Sequence, residues 1–297
     1  MKKNNTMKYD IVALYVCVDD FSKIYEEWEG KKLIGKTKNR KREGKLSMSE
    51  QLLIVILYHL EGFKNFKYYY KYAVEIKYKS LFKEVPCYDR FIQIMPKLLV
   101  PLSILLQCLF GEARGIYFLD ATKLSICHNR REKRNKVFGR IAEKGKTSMG
   151  WFFGFKLHMI INNVGQIMAI KITKGNIDDR TPVAELTKKL KGSVYADKGY
   201  IGADLFKSLY KRGLKLITGI RKNMKNYLIN LADKKLLRKR FYIETIFGFL
   251  KNSMNIEHTR HRSPINFLVN LISALTAYSL TKGKPKKLTI STSLIHS

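Results

Sequence analysis

The sequence predicts a helical N-terminal region followed by an α/β domain built on a mixed sheet. Three observations predict it. Up to about residue 110, apolar residues recur at helical spacing between glycine and proline breaks. From Gly115 the texture changes to short apolar runs rich in β-branched and aromatic residues. Those runs then alternate with helical stretches, in the order hairpin, helix, strand, helix, strand, helices. A length of 297 residues suits about two domains, and 45% apolar with 27% charged residues supports a full core rather than disorder.

Taken in order, Ile11–Trp28 reads as a helix ending before Gly30, followed by a basic, loop-like stretch from Lys36 to Gly44. Ser47 and Glu50 have capping-box spacing ahead of the apolar Leu52–Leu60, and Gly62 closes that helix. Tyr88–Met95 reads as a short helix stopped by Pro96. Several short helices with tight turns fit a helix-turn-helix type of module. Ile116–Asp120 has the make-up of a buried strand, and Trp151–Asn162 with Gln166–Thr173 flank Asn163-Val-Gly165 as a hairpin. Asp179–Leu190 reads as a helix, Ser193–Ala196 as a strand, Ala203–Arg212 as a helix and Leu214–Ile220 as a strand. A long helix is expected over Lys234–Met254, and Ser263-Pro264 opens a last one in cap-then-proline order.

Lys and Arg number 57 against 24 Asp and Glu, a net charge of +33. An ordinary metabolic enzyme has no use for that excess; it raises affinity for a polyanion. Nucleic acid and an acidic membrane surface compete for the role. The longest apolar stretches, Leu98–Phe110 and Leu268–Leu280, fall short of the roughly 20 residues that span a bilayer, so no membrane is expected. The N-terminus has no apolar signal core, so export is not expected either. Cys17, Cys87, Cys108 and Cys127 are scattered without metal-ligand spacing and read as free thiols in a reducing cytoplasm.

In so basic a chain, an acid at the end of an apolar strand draws notice. Asp120 follows Ile116–Leu119, and Asp197 follows Val194-Tyr-Ala196 and precedes Lys198-Gly-Tyr200. Glu244 lies on the helix whose inward stripe is Ile243, Phe247 and Leu250, and Arg240, Glu244 and Lys251 form the neighbouring stripe. Three converging carboxylates need a counter-charge, and their oxygens suit Mg²⁺ or Mn²⁺. A pair of such ions suits in-line phosphodiester displacement. Each acid also has a plain alternative. Asp120 or Asp197 starts a loop or caps a helix, and Glu244 makes a surface pair with Arg240.

Four segments carry a likeness: Leu119-Asp-Ala-Thr122, Gly154-Phe-Lys-Leu-His158, Tyr195-Ala-Asp-Lys-Gly-Tyr200 and the Glu244 helix. Together, from Gly115 to Leu280, they resemble the catalytic domain of the Asp-Asp-Glu (DDE) transposases of bacterial insertion sequences, and most nearly the insertion sequence 982 family. Related families carry a signature Tyr-x2-Arg-x3-Glu-x6-Lys. Arg240, Glu244 and Lys251 match its spacing, while Leu237 stands at the tyrosine position.

The resemblance implies a ribonuclease-H-like catalytic domain over 111–282, preceded by a helical, helix-turn-helix-like DNA-binding region over 1–110; residues 283–297 read as a basic and polar tail. It implies that Asp120, Asp197 and Glu244 are catalytic and hold Mg²⁺, with Mn²⁺ as a substitute and two ions in all. Arg240 and Lys251 would contact DNA near the cleaved end. The activity implied is strand cleavage and strand transfer at terminal inverted repeats. Its partners would be double-stranded DNA and further copies of the chain, as a homodimer or higher oligomer, in the bacterial cytoplasm at the nucleoid. A nuclease of the same fold without strand transfer, and a DNA-binding protein with a decayed site, are the rivals.

Four other features stay open. The aromatics of Lys64–Tyr72 either stack bases or form a buried helix face. The run Asn129–Lys136 either grips DNA or is solvated charge. His158 reads as a core residue, and Asp178 and Asp179 read as a turn with a helix cap. Leu268–Leu280 is apolar nearly all round, which suits a core or a dimer contact.

Overall fold

The capping box written at Ser47 forms. The Ser47 hydroxyl accepts from the Glu50 amide, and the Glu50 carboxylate accepts from the Ser47 amide at 2.7 Å. The computed structural model describes residues 9–32, 44–82, 84–148, 150–221, 224, 229–257 and 261–281. The basic residues 36–43 and the tail 283–297 lie outside the described residues.

Two compact units form. One takes the chain up to Leu109, with Ser253–Ile256 and the segment from Ser263 onward; the other takes Phe110–Asn252 and Glu257–Arg262. The helical unit starts with α1 (Ile11–Lys32), which continues through Gly30 rather than stopping before it. Next come α2 (Met48–Leu60), the short α3 (Phe66–Tyr69) and a wider π-type turn over Tyr70–Lys77. After α4 (Tyr88–Ile94) the chain stays helical through Pro96 and on into α5 (Leu99–Cys108). Pro96 sits at the start of a 3₁₀ turn, where its missing N–H costs nothing, so it does not end the segment as the sequence suggests.

Helix α2 is buried from Leu52 to Leu60, and His59 on it donates from Nδ1 to the Met254 carbonyl at 2.6 Å while its Nε2 meets the Ser273 hydroxyl at 2.9 Å. Ser273 belongs to the last helix of the chain, Pro264–Thr281, which packs on α2 and α5. That helix, placed by sequence in the 111–282 domain, goes instead to the helical unit, because its nearly all-round apolar surface meets an equally apolar α2. By length and composition Tyr88–Cys108 and Pro264–Thr281 are apolar enough to cross a membrane; most of the latter is buried within the unit.

The sheet unit is mixed α/β. Its strands are β1 (Ile116–Cys127), β2 (Glu143–Thr147), β3 (Gly150–Asn162), β4 (Ile167–Lys174), β5 (Gly192–Ala196) and β6 (Leu214–Thr218). The order across the sheet is β2-β3-β1-β5-β6, with β4 also paired to β3. β1 and β3 are antiparallel, while β1, β5 and β6 run parallel. The helices are α6 (Val183–Leu186), α7 (Ala203–Lys211), α8 (Leu231–Lys239) and α9 (Phe241–Asn252), and Pro264–Thr281 of the other unit becomes α10.

One core, with Tyr117, Leu119, Val194, Leu209 and Leu214, packs the α6 and α7 side. On α9, Ile243, Ile246, Phe247 and Leu250 are buried, as their helical spacing requires. Three elements depart from the sequence reading. β1 runs on to Cys127, so Asp120 lies within the strand and not at its end. The helix expected over Asp179–Leu190 shrinks to Val183–Leu186, because Pro182 blocks an earlier start. The single helix expected over Lys234–Met254 is two, broken at Arg240.

Candidate active site

Strand register brings the two aspartates together. Phe118 of β1 pairs with Tyr195 of β5, and their rings lie 6.0 Å apart. Side chains alternate along a strand, so two residues further on, on the same face, come Asp120 and Asp197. Asp197 is the first residue past the end of β5, where the chain turns through Lys198–Tyr200. Glu244 arrives from the first turn of α9, the helix laid on β1.

The three carboxylates meet at one guanidinium. Arg240 places Nη2 at 2.7 Å from Glu244 Oε1 and 3.8 Å from Asp197 Oδ1, and Nη1 at 3.5 Å from Asp120 Oδ2. Arg240 caps the end of α8, at the break before α9, and that break aims its side chain at acids from three segments. Asp120 is the deepest of them. Burial pushes its carboxyl up to about 6, against the Ala121 amide and Arg240, which favour the charged form; Glu244 and Asp197 add to the rise.

Lys251, expected beside DNA, donates to the Lys123 carbonyl at 2.6 Å and pairs with Glu257 at 3.2 Å. The Glu257 carboxylate also accepts from the Ser125 amide at 2.9 Å. Burial would raise its pKa, and these partners bring it below the usual value. This tie fastens α9 to β1, and sequence spacing gave no sign of it.

His158 is fully buried on β3, opposite Ala121 of β1. Its Nε2 meets the Thr173 hydroxyl at 2.8 Å, and burial holds its pKa down to about 4. Asp178 pairs with Arg180 at 2.6 Å in the turn. Asp179, read from the sequence as part of a turn with a helix cap, pairs with Lys156 at 2.9 Å and lines a cleft of about 540 Å³ with Asp197. Lys123, Lys146, Thr122, Thr147 and Ser148 share that cleft, which gives a polar, cation-rich channel beside the acids. In the helical unit, Tyr69 and Tyr70 are core, whereas Tyr68 and Tyr72 are exposed and stacked at 5.8 Å. The run Asn129–Arg134 forms an exposed turn.

Carboxylate oxygens are the donors that Mg²⁺ and Mn²⁺ take, and here three of them surround a cation already, so the donor set fits a divalent ion in kind. As placed, no three His, Cys, Asp or Glu side chains among the described residues stand close enough together to hold one.

The family model described as a transposase DDE domain matches residues 110–264, more than half of the chain. The chain belongs to that family. It is therefore a DDE-type transposase, and DDE transposase domains generally use divalent metal ions. No curated protein sequence matches it. A cryo-EM structure of the piggyBac transposase synaptic complex with hairpin DNA is similar at TM-score 0.47 and 11% identity, over 97% of this chain and 79% of that one.

Proposed function

We propose that this transposase binds the terminal inverted repeats of a bacterial insertion sequence resembling the insertion sequence 982 family. It cleaves a DNA strand there and joins the freed end to target DNA. The convergence of Asp120, Asp197 and Glu244, from two parallel strands and one helix, on a single cationic centre carries this reading. The strand order, an antiparallel β1–β3–β4 set continued by parallel β5 and β6, supports a ribonuclease-H-like domain.

In this reading Asp120, Asp197 and Glu244 hold Mg²⁺ or Mn²⁺, in a pair. When bound, the ions supply activation of the attacking hydroxyl and stabilisation of the leaving oxygen. The sheet fixes Asp120 and Asp197 in register, and α9, tied down by Lys251, presents Glu244. The cleft with Lys123 and Lys146 offers cations to the phosphate backbone. The helical unit supplies further DNA contacts, and two copies hold the two element ends, in the cytoplasm at the nucleoid.

The test is cleavage of a labelled duplex carrying the element's terminal repeat, with and without Mg²⁺ or Mn²⁺, by wild type and Asp197→Asn. Metal-dependent cutting, lost in Asp197→Asn with DNA binding retained, is the expected result. Cutting by Asp197→Asn would remove that residue from the site. Binding without cutting by either protein would favour a DNA-binding protein whose catalytic site has decayed.

A further inference from the structure

We propose that Arg240 is the resident counter-ion of the acid cluster: its guanidinium holds Asp120, Asp197 and Glu244 assembled before a divalent ion arrives, and has to leave them for the ion to enter. The proposal rests on the reading of these acids as metal-holding. It goes beyond that reading by giving the arginine a positioning role toward the metal, distinct from the DNA contact that family resemblance implies.

Every ion pair that the three acids make among the described residues is with Arg240. Two of the other cations close by are committed elsewhere, and Lys123 and Lys146 line the adjoining cleft without an ion pair to the three acids. Lys251 is engaged by Lys123 and Glu257, and Lys156 by Asp179 and the Ile177 carbonyl. One positive charge therefore serves three carboxylates, and the cluster is formally two charges short, the charge of one divalent ion.

The distances are graded. The contact to Glu244, at 2.7 Å, is a full charge-assisted hydrogen bond, whereas those to Asp120 and Asp197, at 3.5 and 3.8 Å, are longer than such bonds run. Arg240 thus gathers the aspartates without saturating them. The planar fork of a guanidinium allows this, since one terminal nitrogen serves two acids while the other serves the third; an ammonium has no such fork. Among the described residues no three acids stand close enough together to hold an ion, and at this cluster the guanidinium lies among them.

The experiment measures Mn²⁺ binding to the full chain without DNA, from the loss of the free-ion electron paramagnetic resonance signal. It compares wild type, Arg240→Gln, Arg240→Lys and Asp197→Asn. Removing a cation that competes for the same carboxylates is expected to tighten Mn²⁺ binding about tenfold in Arg240→Gln, the lower end of what an adjacent charge does to an acid. Arg240→Lys is expected between it and wild type, and Asp197→Asn is expected to lose the site. Melting gives a second reading: Arg240→Gln melts below wild type in EDTA and gains more than wild type from Mn²⁺.

Equal Mn²⁺ affinity in wild type and Arg240→Gln, with the site lost in Asp197→Asn, overturns the counter-ion role and leaves the metal reading standing. Absence of Mn²⁺ binding from both wild type and Arg240→Gln overturns the metal reading itself, and the proposal with it. If Arg240→Gln does not fold in EDTA, the comparison of wild type with Arg240→Lys decides: tighter binding in Arg240→Lys supports the role, and equal binding overturns it.

Discussion

The ammonium of Lys251 lies 2.6 Å from the carbonyl oxygen of Lys123, so α9 is bonded to β1 three residues beyond Asp120. Truncating Lys251 to alanine removes this bond and leaves Glu257, half-buried, without its ion partner. The expected loss is about 1–3 kcal/mol, read as a lower urea midpoint. With its ammonium committed inside the unit, the salt dependence of DNA binding stays as in wild type. A slope lower by about one unit would instead show that Lys251 reaches a phosphate.

Asp120 gives the metal-free protein a pH dependence. Its carboxyl is raised by burial from 3.8 to about 6, so the folded state binds this proton more tightly than the unfolded state. The stability it contributes is full below about pH 4 and is lost as pH rises through about 6. Asparagine does not titrate. Asp120→Asn should therefore match wild type near pH 4 and exceed it by up to about 3 kcal/mol at pH 7 in EDTA, at 1.36 kcal/mol per unit. Parallel curves for the two proteins from pH 4 to 7 would refute the shift.

Gly154 sits where three strands crowd. It pairs with Ser125 on β1 and Glu143 on β2, and an added Cβ would come within 2.1 Å of the Leu124 carbonyl oxygen. Backbone cannot yield as a side chain tip does. Gly154→Ala is expected to cost about 1–3 kcal/mol in thermal unfolding, by forcing β1 and β3 apart. An unchanged melting temperature would show that the strands have slack there.

Tyr195 ties β5 to α8. Its hydroxyl donates to Asp233 Oδ1 on α8 at 2.7 Å, and α8 buries no residue of its own. Tyr195→Phe should release that helix, raising amide exchange over residues 231–239 while the core strands keep their protection. Unaltered exchange in α8 would mean that other contacts hold it.

Much of the fold was legible because its signals are local. The capping box at Ser47, the hairpin around Asn163-Val-Gly165 and the stripe of Ile243, Phe247 and Leu250 each depend on residues near one another in sequence. What was hidden depends on distant partners. Strand β2, Glu143–Thr147, holds no apolar residue and takes its form from pairing with β3. β1 extends past Asp120 through polar Thr122, Lys123 and Ser125 because β3 pairs with all of them. The break at Arg240 has neither proline nor glycine to announce it.

The acids were legible from their places beside apolar strands and on a helix edge, and the structure gathers all three. Of their contacts with Arg240, only the one to Glu244, four residues away, was readable. Those to Asp120 and Asp197 exist through the register of β1 and β5, which no spacing rule supplies. The pairs Lys156–Asp179 and Lys251–Glu257 were missed because each joins residues of different elements, and an ordinary charged residue carries no mark of its partner.

The pairing of Phe118 with Tyr195 also governs when the site comes into being. β1 leaves the ribosome early but waits for β2, β3, β4 and α6 to be made before its parallel neighbour exists. Glu244 and Arg240 follow later still. Such long-range parallel pairing is slow to form, and a chain in synthesis folds from its N-terminal end. A nascent or truncated chain that stops before α9 thus lacks an assembled acid cluster, and it also lacks α10, the last helix of the helical unit. The gathering of Asp120, Asp197 and Glu244 around Arg240 is a late event, complete only once translation has passed α9.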